Sequence, residues 1–140
     1  MLALDAARSA GASYADVRIS RAQSQSVATR EDRVTNMSDS DTLGFGIRVL
    51  ANGAWGFAAS RDLARNEIQR VARQAVAQAR ANRRAMHRPV VLAPVEAVPD
   101  GRWAAPMRID PFTIPIEDKA ALLLRANAEA MKVQGARFVN

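Results

Sequence analysis

Apolar and polar positions alternate between residues 42 and 58, where Leu43, Phe45, Ile47 and Val49 are interleaved with Gly44, Gly46 and Arg48. A period of two buries one face of a strand. Asn52 and Gly53 follow at once, two residues that tolerate positive φ, and Ala54-Trp55-Gly56-Phe57-Ala58 alternates again as the return strand of a tight hairpin. Gly44, Gly46 and Gly56 are expected to leave one sheet face almost bare, open to close approach by a helix, another backbone or an extended peptide.

Upstream, Ala15, Val17 and Ile19 alternate with Asp16, Arg18 and Ser20, which predicts a strand over 15–20. Residues 24–30 form a second candidate with Val27 as its one large apolar anchor, as in an edge strand or a solvated face. Glu31-Asp32 predicts a turn into a short third strand over 33–37. With the hairpin, these strands make an antiparallel meander. Leu2 to Ala10 reads as a short helix with Leu4, Ala7 and Ala10 on one side and Gly11 as its stop.

The longest periodic segment runs from Arg65 to Asn82, where Ile68, Val71, Ala72, Ala75, Val76 and Ala79 form one apolar stripe. Its small alanines suit close packing on a sheet, and the glycine-lined hairpin face is the expected partner. Asp62 is placed to cap the preceding turn. Ala64 cannot accept a capping hydrogen bond, a loss of about 1 kcal/mol at the helix start.

From residue 88 to 115, prolines at 89, 94, 99, 106, 111 and 115 exclude regular helix. An extended arm is expected, anchored by Val90, Val91, Leu92, Trp103 and Phe112. A further helix is predicted over 116–134, with Leu123, Ala126, Asn127, Ala130 and Met131 marking one side and Glu117 and Asp118 in its first turn. Residues 135–140 read as a turn leading into a strand. The fold class is therefore α+β: an antiparallel β-meander ending in a hairpin, packed by a long amphipathic helix, then a proline-rich arm and another helix. Residues 1–87 form the main domain, 88–115 the connection, and 116–140 the helix and the start of a strand leading to a region beyond this sequence.

Composition narrows the picture modestly. At 140 residues and 49% apolar content the chain can build a core, and no run approaches the length of a membrane span, so a cytoplasmic location is expected. With no cysteine, no disulfide is required. Twenty basic residues against fourteen acidic give a net charge of +6, and eighteen of the twenty are arginine. Guanidinium groups suit phosphates and carboxylates alike, so this balance permits nucleic acid or acidic partners and selects neither. Coding bias accounts for it equally well.

Candidate chemistry is sparse. His87 is the single histidine and lies in a polar tail without partner ligands in sequence, so a zinc site built by this chain alone is not expected. No serine sits in a nucleophile elbow, and Gly44-Phe45-Gly46 lacks the third glycine of a dinucleotide fingerprint. Arg65, Arg70, Arg73, Arg80, Arg83, Arg84 and Arg88 make one helix and its tail basic, but the absence of a helix-turn-helix or a stacking platform argues against specific nucleic-acid binding.

Four segments carry a family resemblance. Residues 42–58, Ala12-Ser13-Tyr14-Ala15-Asp16-Val17-Arg18-Ile19, Thr29-Arg30-Glu31-Asp32-Arg33-Val34 and Asp110-Pro111-Phe112-Thr113-Ile114-Pro115-Ile116-Glu117-Asp118-Lys119 resemble, in order, the N-terminal domain of the TldD/PmbA family. Members were once called modulators of DNA gyrase and are regarded as zinc metallopeptidases. The last two segments favour the TldD branch. Family members run to several hundred residues, and the resemblance places their HExxxH motif in a C-terminal domain absent from this sequence.

That resemblance implies a non-catalytic domain, inactive alone, that contributes to substrate enclosure and subunit assembly. It implies no cofactor in this chain and zinc in the full-length protein. Expected partners are the remainder of its own polypeptide, a second subunit in a homodimer or a TldD/TldE-type heterodimer, and a peptide substrate, with no membrane. Gly44, Gly46, Arg48, Trp55, Gly56 and Phe57 are the candidate peptide or interface contacts, through strand addition at an exposed edge. The alternative is a stand-alone binding or assembly module without peptidase activity.

Overall fold

A computed structural model describes every residue from Met1 to Asn140. Asn52 and Gly53 take φ values of 51° and 76°, the double left-handed turn that joins antiparallel strands most tightly. The turn links β2 (Arg33–Ala51) to β3 (Ala54–Ser60), and it fixes the register at Ala51 opposite Ala54, Val49 opposite Gly56 and Ile47 opposite Ala58. With β1 (Tyr14–Arg30) the sheet has the order β1-β2-β3, an antiparallel meander with helices, and the α+β class holds.

The strands are longer and fewer than the periodicity predicts. β1 is continuous where two strands are expected, and β2 runs unbroken through 38–42, where the apolar pattern lapses. Polar cross-strand bonds take over there. Gln23 Nε2 donates to Asp41 Oδ2 at 3.3 Å, Gln25 Nε2 to Asp39 Oδ2 at 3.0 Å, and Thr35 Oγ1 to the Ala28 carbonyl at 3.2 Å.

The chain divides into two compact units, one of Met1–Arg21 with Thr42–Ala97 and one of Ala22–Asp41 with Val98–Asn140. In the first, α1 (Leu2–Ser9) and α2 (Arg65–Asn82) cover one sheet face. Phe45, Ile47, Val49, Ala51 and Ala58 from the sheet meet Val71, Ala72, Ala75, Val76 and Ala79 from α2 and Ala7 from α1. Ile47, Val49, Val71 and Val76 are the largest fully buried side chains, each contributing about 1.5–3 kcal/mol of burial. Asp62 Oδ1 accepts the Ala64 N–H at 2.8 Å, while Ala64 itself caps α2 without a side-chain bond. At the other end, Arg80 Nη2 donates to the Ala10 carbonyl at 2.6 Å beside Gly11, whose φ of 101° ends α1.

The three hairpin glycines do not share a face. Gly56 pairs with Val49 and therefore points into the core, whereas Gly44 and Gly46 alternate with Phe45 and Ile47 and point the other way. A Cβ at Gly56 would fall on the Ala75 carbonyl oxygen and 2.6 Å from the Ala79 nitrogen, so α2 lies directly on the β3 backbone there. The expected helix partner is thus one glycine, not three.

In the second unit, α3 (Ile116–Met131) follows a short 3-10 turn, Pro111–Thr113, capped where Asp110 Oδ1 accepts the Phe112 N–H at 2.9 Å. Its inward face agrees with the sequence expectation at Asn127 and, in part, at Ala130, and differs elsewhere. Ala120 and Asn127 are buried, while Ala126 is exposed and Leu123 and Met131 keep 37% and 38% of their surface exposed. Leu122, Leu123 and Leu124 spread around the helix and do not select a side, so polar ties do. Asn127 Nδ2 donates to Thr29 Oγ1 at 3.0 Å and to the Glu31 carbonyl at 3.1 Å, and Lys119 Nζ donates to Gln25 Oε1. Residues 136–140 form no strand, although the Val139 carbonyl accepts the Glu31 N–H at 2.9 Å.

Of the expected arm anchors, Val90 bonds through its N–H to the Gly53 carbonyl at 2.8 Å. Val91 and Trp103 are 88% and 87% exposed and anchor nothing. Regular helix is absent from 88–115, as the prolines require.

Two stability outcomes follow from these packings. Gly56→Ala should cost about 1–3 kcal/mol or more by forcing α2 off the strand, whereas Gly46→Ala, which meets only a movable ring, should cost under about 1 kcal/mol. Asn127→Ala should cost about 1–3 kcal/mol through the lost buried bonds. Denaturant unfolding measures all three, and equal losses at Gly46 and Gly56 would contradict the register.

Candidate functional site on the open sheet face

The sheet face turned away from α2 carries no helix in the first unit, and a groove of about 750 Å³ lies on it. β1 supplies Asp16, Arg18 and Ser20, the charged positions of its period-two alternation. β2 supplies Gly44, Gly46 and Arg48, and β3 with the residues after it supplies Phe57, Ala59, Ser60 and Arg61. The two glycines contribute no side chain of their own, and they differ in what lies over them. At Gly46 a Cβ would stand 2.7 Å from the Phe57 ring, so glycine admits that ring onto the strand, where Phe57 remains 57% exposed. At Gly44 the nearest atoms are the Ser60 carbonyl oxygen at 3.3 Å and Arg61 Cα at 3.8 Å.

One end of the face is rigidly assembled. Arg48 Nε donates to Asp16 Oδ2 at 2.8 Å, and its guanidinium carbon sits 4.8 Å over the Trp55 ring, which meets Tyr14 edge-on with centroids 5.8 Å apart. The hydrogen bond that Arg48 donates to Asp16, and then the Asp16 charge, raise the pKa of the Arg48 guanidinium above its ordinary value. With both side chains largely in water this pair orients more than it stabilises. Arg18 and Arg61 make no ion pair.

The outer edge of β3 is partly occupied. The Phe57 N–H donates to Gln78 Oε1 at 3.3 Å, and Asn82 Nδ2 donates to the Trp55 carbonyl at 2.9 Å. Two of the outward backbone groups that an added strand would use are therefore engaged by α2. The face offers freer access than the edge.

Of the six residues predicted as contacts, Gly44, Gly46, Arg48, Trp55 and Phe57 share this face, and Gly56 lies in the core. Asp16, Arg18 and Arg61 were not among them. The β1 alternation already set Asp16 and Arg18 on one face; the missing information was which β2 residues they oppose. His87 has no neighbouring ligand set, and no three His, Cys, Asp or Glu side chains converge in the structure.

The first unit is thus of the α+β class, a three-stranded antiparallel meander backed by a long helix and open on its other face. Residues 15–79 match the family model of PmbA/TldA metallopeptidase domain 1. The chain is 24% identical over 111 residues to a metalloprotease of Methanocaldococcus jannaschii, covering 79% of this chain and 24% of that protein. It thus spans about a quarter of the relative's length. In structure it is similar to a candidate modulator of DNA gyrase from Bacteroides thetaiotaomicron, with a TM-score of 0.66 at 20% identity, covering 96% of this chain and 30% of that one. No helix is long and apolar enough to cross a membrane.

Beside the groove, Arg70 donates to both Glu67 carboxylate oxygens at 2.6 and 2.7 Å. These bonds, with a further one from Ser60, hold the Glu67 carboxyl at about 2, below its ordinary 4.5. A depressed carboxylate stabilises the fold above its unfolded pKa, and that contribution is lost as pH falls from about 4.5 towards 2. Carboxyl NMR titration should place Glu67 near the lower value and return it towards the ordinary one in Arg70→Gln. An unchanged titration in that variant would remove Arg70 as the cause.

Proposed function

We propose that this chain is the first domain of a TldD-like zinc metallopeptidase, and that it encloses and orients a peptide while the bond is cut on residues outside these 140. The observation that carries the reading is the family match over residues 15–79 in a chain that spans about a quarter of its curated relative. In a zinc peptidase the metal activates water against the peptide carbonyl. The part left to this chain is binding: an extended peptide lies across the strand at Gly44, where no side chain stands, beside the Phe57 ring that covers Gly46 and the Arg48-Trp55 pair.

The second unit suits assembly. Leu122, Val133 and Phe138 are 59%, 64% and 70% exposed, and a covering partner would remove that apolar surface from water. The remainder of the polypeptide, or a second subunit in a homodimer or TldD/TldE-type heterodimer, would cover it. A second reading, a stand-alone binding module, is favoured by one observation: the groove is complete within the first unit.

Elemental analysis for zinc, cleavage of an unstructured peptide and light scattering on the 140-residue chain test both. The expected result is no stoichiometric zinc, no chelator-sensitive cleavage and a mass that rises with concentration. Stoichiometric zinc with cleavage would overturn the division of labour. A chain that stays monomeric at every concentration would favour the stand-alone module.

A further inference from the structure

The groove has a charge pattern that a neutral peptide does not use. Arg48 is committed to Asp16 and to the Trp55 face, leaving Arg18 on β1 and Arg61 beyond the end of β3 as the two groove cations without an ion-pair partner. They flank Gly44 from opposite strands, and Arg61 Cα lies 3.8 Å from where a Gly44 Cβ would stand. β1 and β3 are separated by two strand spacings, roughly 10 Å, so two flexible guanidinium arms can close on one anion above the middle strand. Phe57, half-exposed over Gly46, supplies an apolar wall alongside.

We propose that this face selects an extended peptide bearing an acidic side chain, with Arg18 and Arg61 taking the carboxylate above Gly44 and the neighbouring residue lying on the Phe57 ring. The proposal rests on the reading that this domain holds a peptide, and it names the peptide's chemistry and two residues that hold it. A single carboxylate matches two free cations. A nucleic-acid strand would bring a series of phosphates, and the groove has only two guanidinium groups without an ion pair to meet them.

The test is titration of the 140-residue chain with two unstructured nonapeptides differing only in a central Glu or Gln, followed through the backbone amides of Gly44, Gly46 and Phe57. The Glu peptide should bind about tenfold more tightly, the equivalent of about 1.4 kcal/mol. Arg18→Gln and Arg61→Gln should each abolish most of that difference, whereas Arg73→Gln on the exposed face of α2 should preserve it. Equal binding of the two peptides at these amides would overturn the acidic selectivity and leave peptide holding intact. No shift with either peptide would overturn both. Stronger shifts at the same amides with an oligothymidine would overturn the choice of a peptide.

Discussion

The contact between the backbone of α2 and the backbone of β3 at Gly56 is the constraint on which the first unit depends. A helix normally stands off a sheet by the thickness of two side-chain layers, and here that gap closes because neither side presents more than a methyl group. Gly56 has no Cβ, and the facing turns of α2 offer Ala75 and Ala79. Close approach lets small residues bury fully, which explains a core made largely of alanine and valine with Ile47 as its bulkiest fully buried member. It also aligns Gln78 and Asn82 with the β3 edge, where their side chains satisfy backbone groups that would otherwise face water. With one face and part of one edge covered, the opposite face stays open.

The second unit is held differently. Its buried positions are few, and the ties between α3 and the strands are hydrogen bonds from Asn127 and Lys119 to polar side chains and backbone. Buried polar bonds fix a geometry more than they supply stability, because their net worth is about 1 kcal/mol each while the cost of leaving them unmade is larger. A unit so built has a defined geometry with little apolar burial, and Leu122, Val133 and Phe138 stay exposed on it.

Much of this was legible in the sequence, and the reason differs by element. α2 was readable to its ends because the 3.6-residue stripe, the Asp62 turn and the absence of interior glycine or proline all agree. The Asn52-Gly53 turn was readable because few other residues accept two positive φ angles in succession. The unbroken lengths of β1 and β2 were not, because between 20 and 42 the pairing rests on Gln-Asp bonds that leave no apolar period. The face of α3 was read correctly at Asn127 and blurred around it, because three consecutive leucines drew Leu123 onto the expected side while Ala120 is the apolar residue that is buried. In the site, the split between Gly56 and the other two glycines required a register, which pairs the odd residues of β2 with the even residues of β3 and cannot be read from either strand alone.

The arginine content is best understood position by position. On α2, Arg70 is spent on Glu67 and Arg80 on the end of α1, so two cations of the apparent basic stripe have structural partners, while Arg65 and Arg73 project into water. In the groove, Arg48 is likewise spent, on Asp16 and Trp55. A phosphate-tracking surface needs a row of free cations at a repeating spacing, and subtracting the engaged residues breaks the row on the helix. What survives in the groove is a pair, Arg18 and Arg61, set on either side of Gly44. Two free cations facing each other over glycine define a local site for one anion, and a local site is what distinguishes reading a peptide side chain from binding a polyanion.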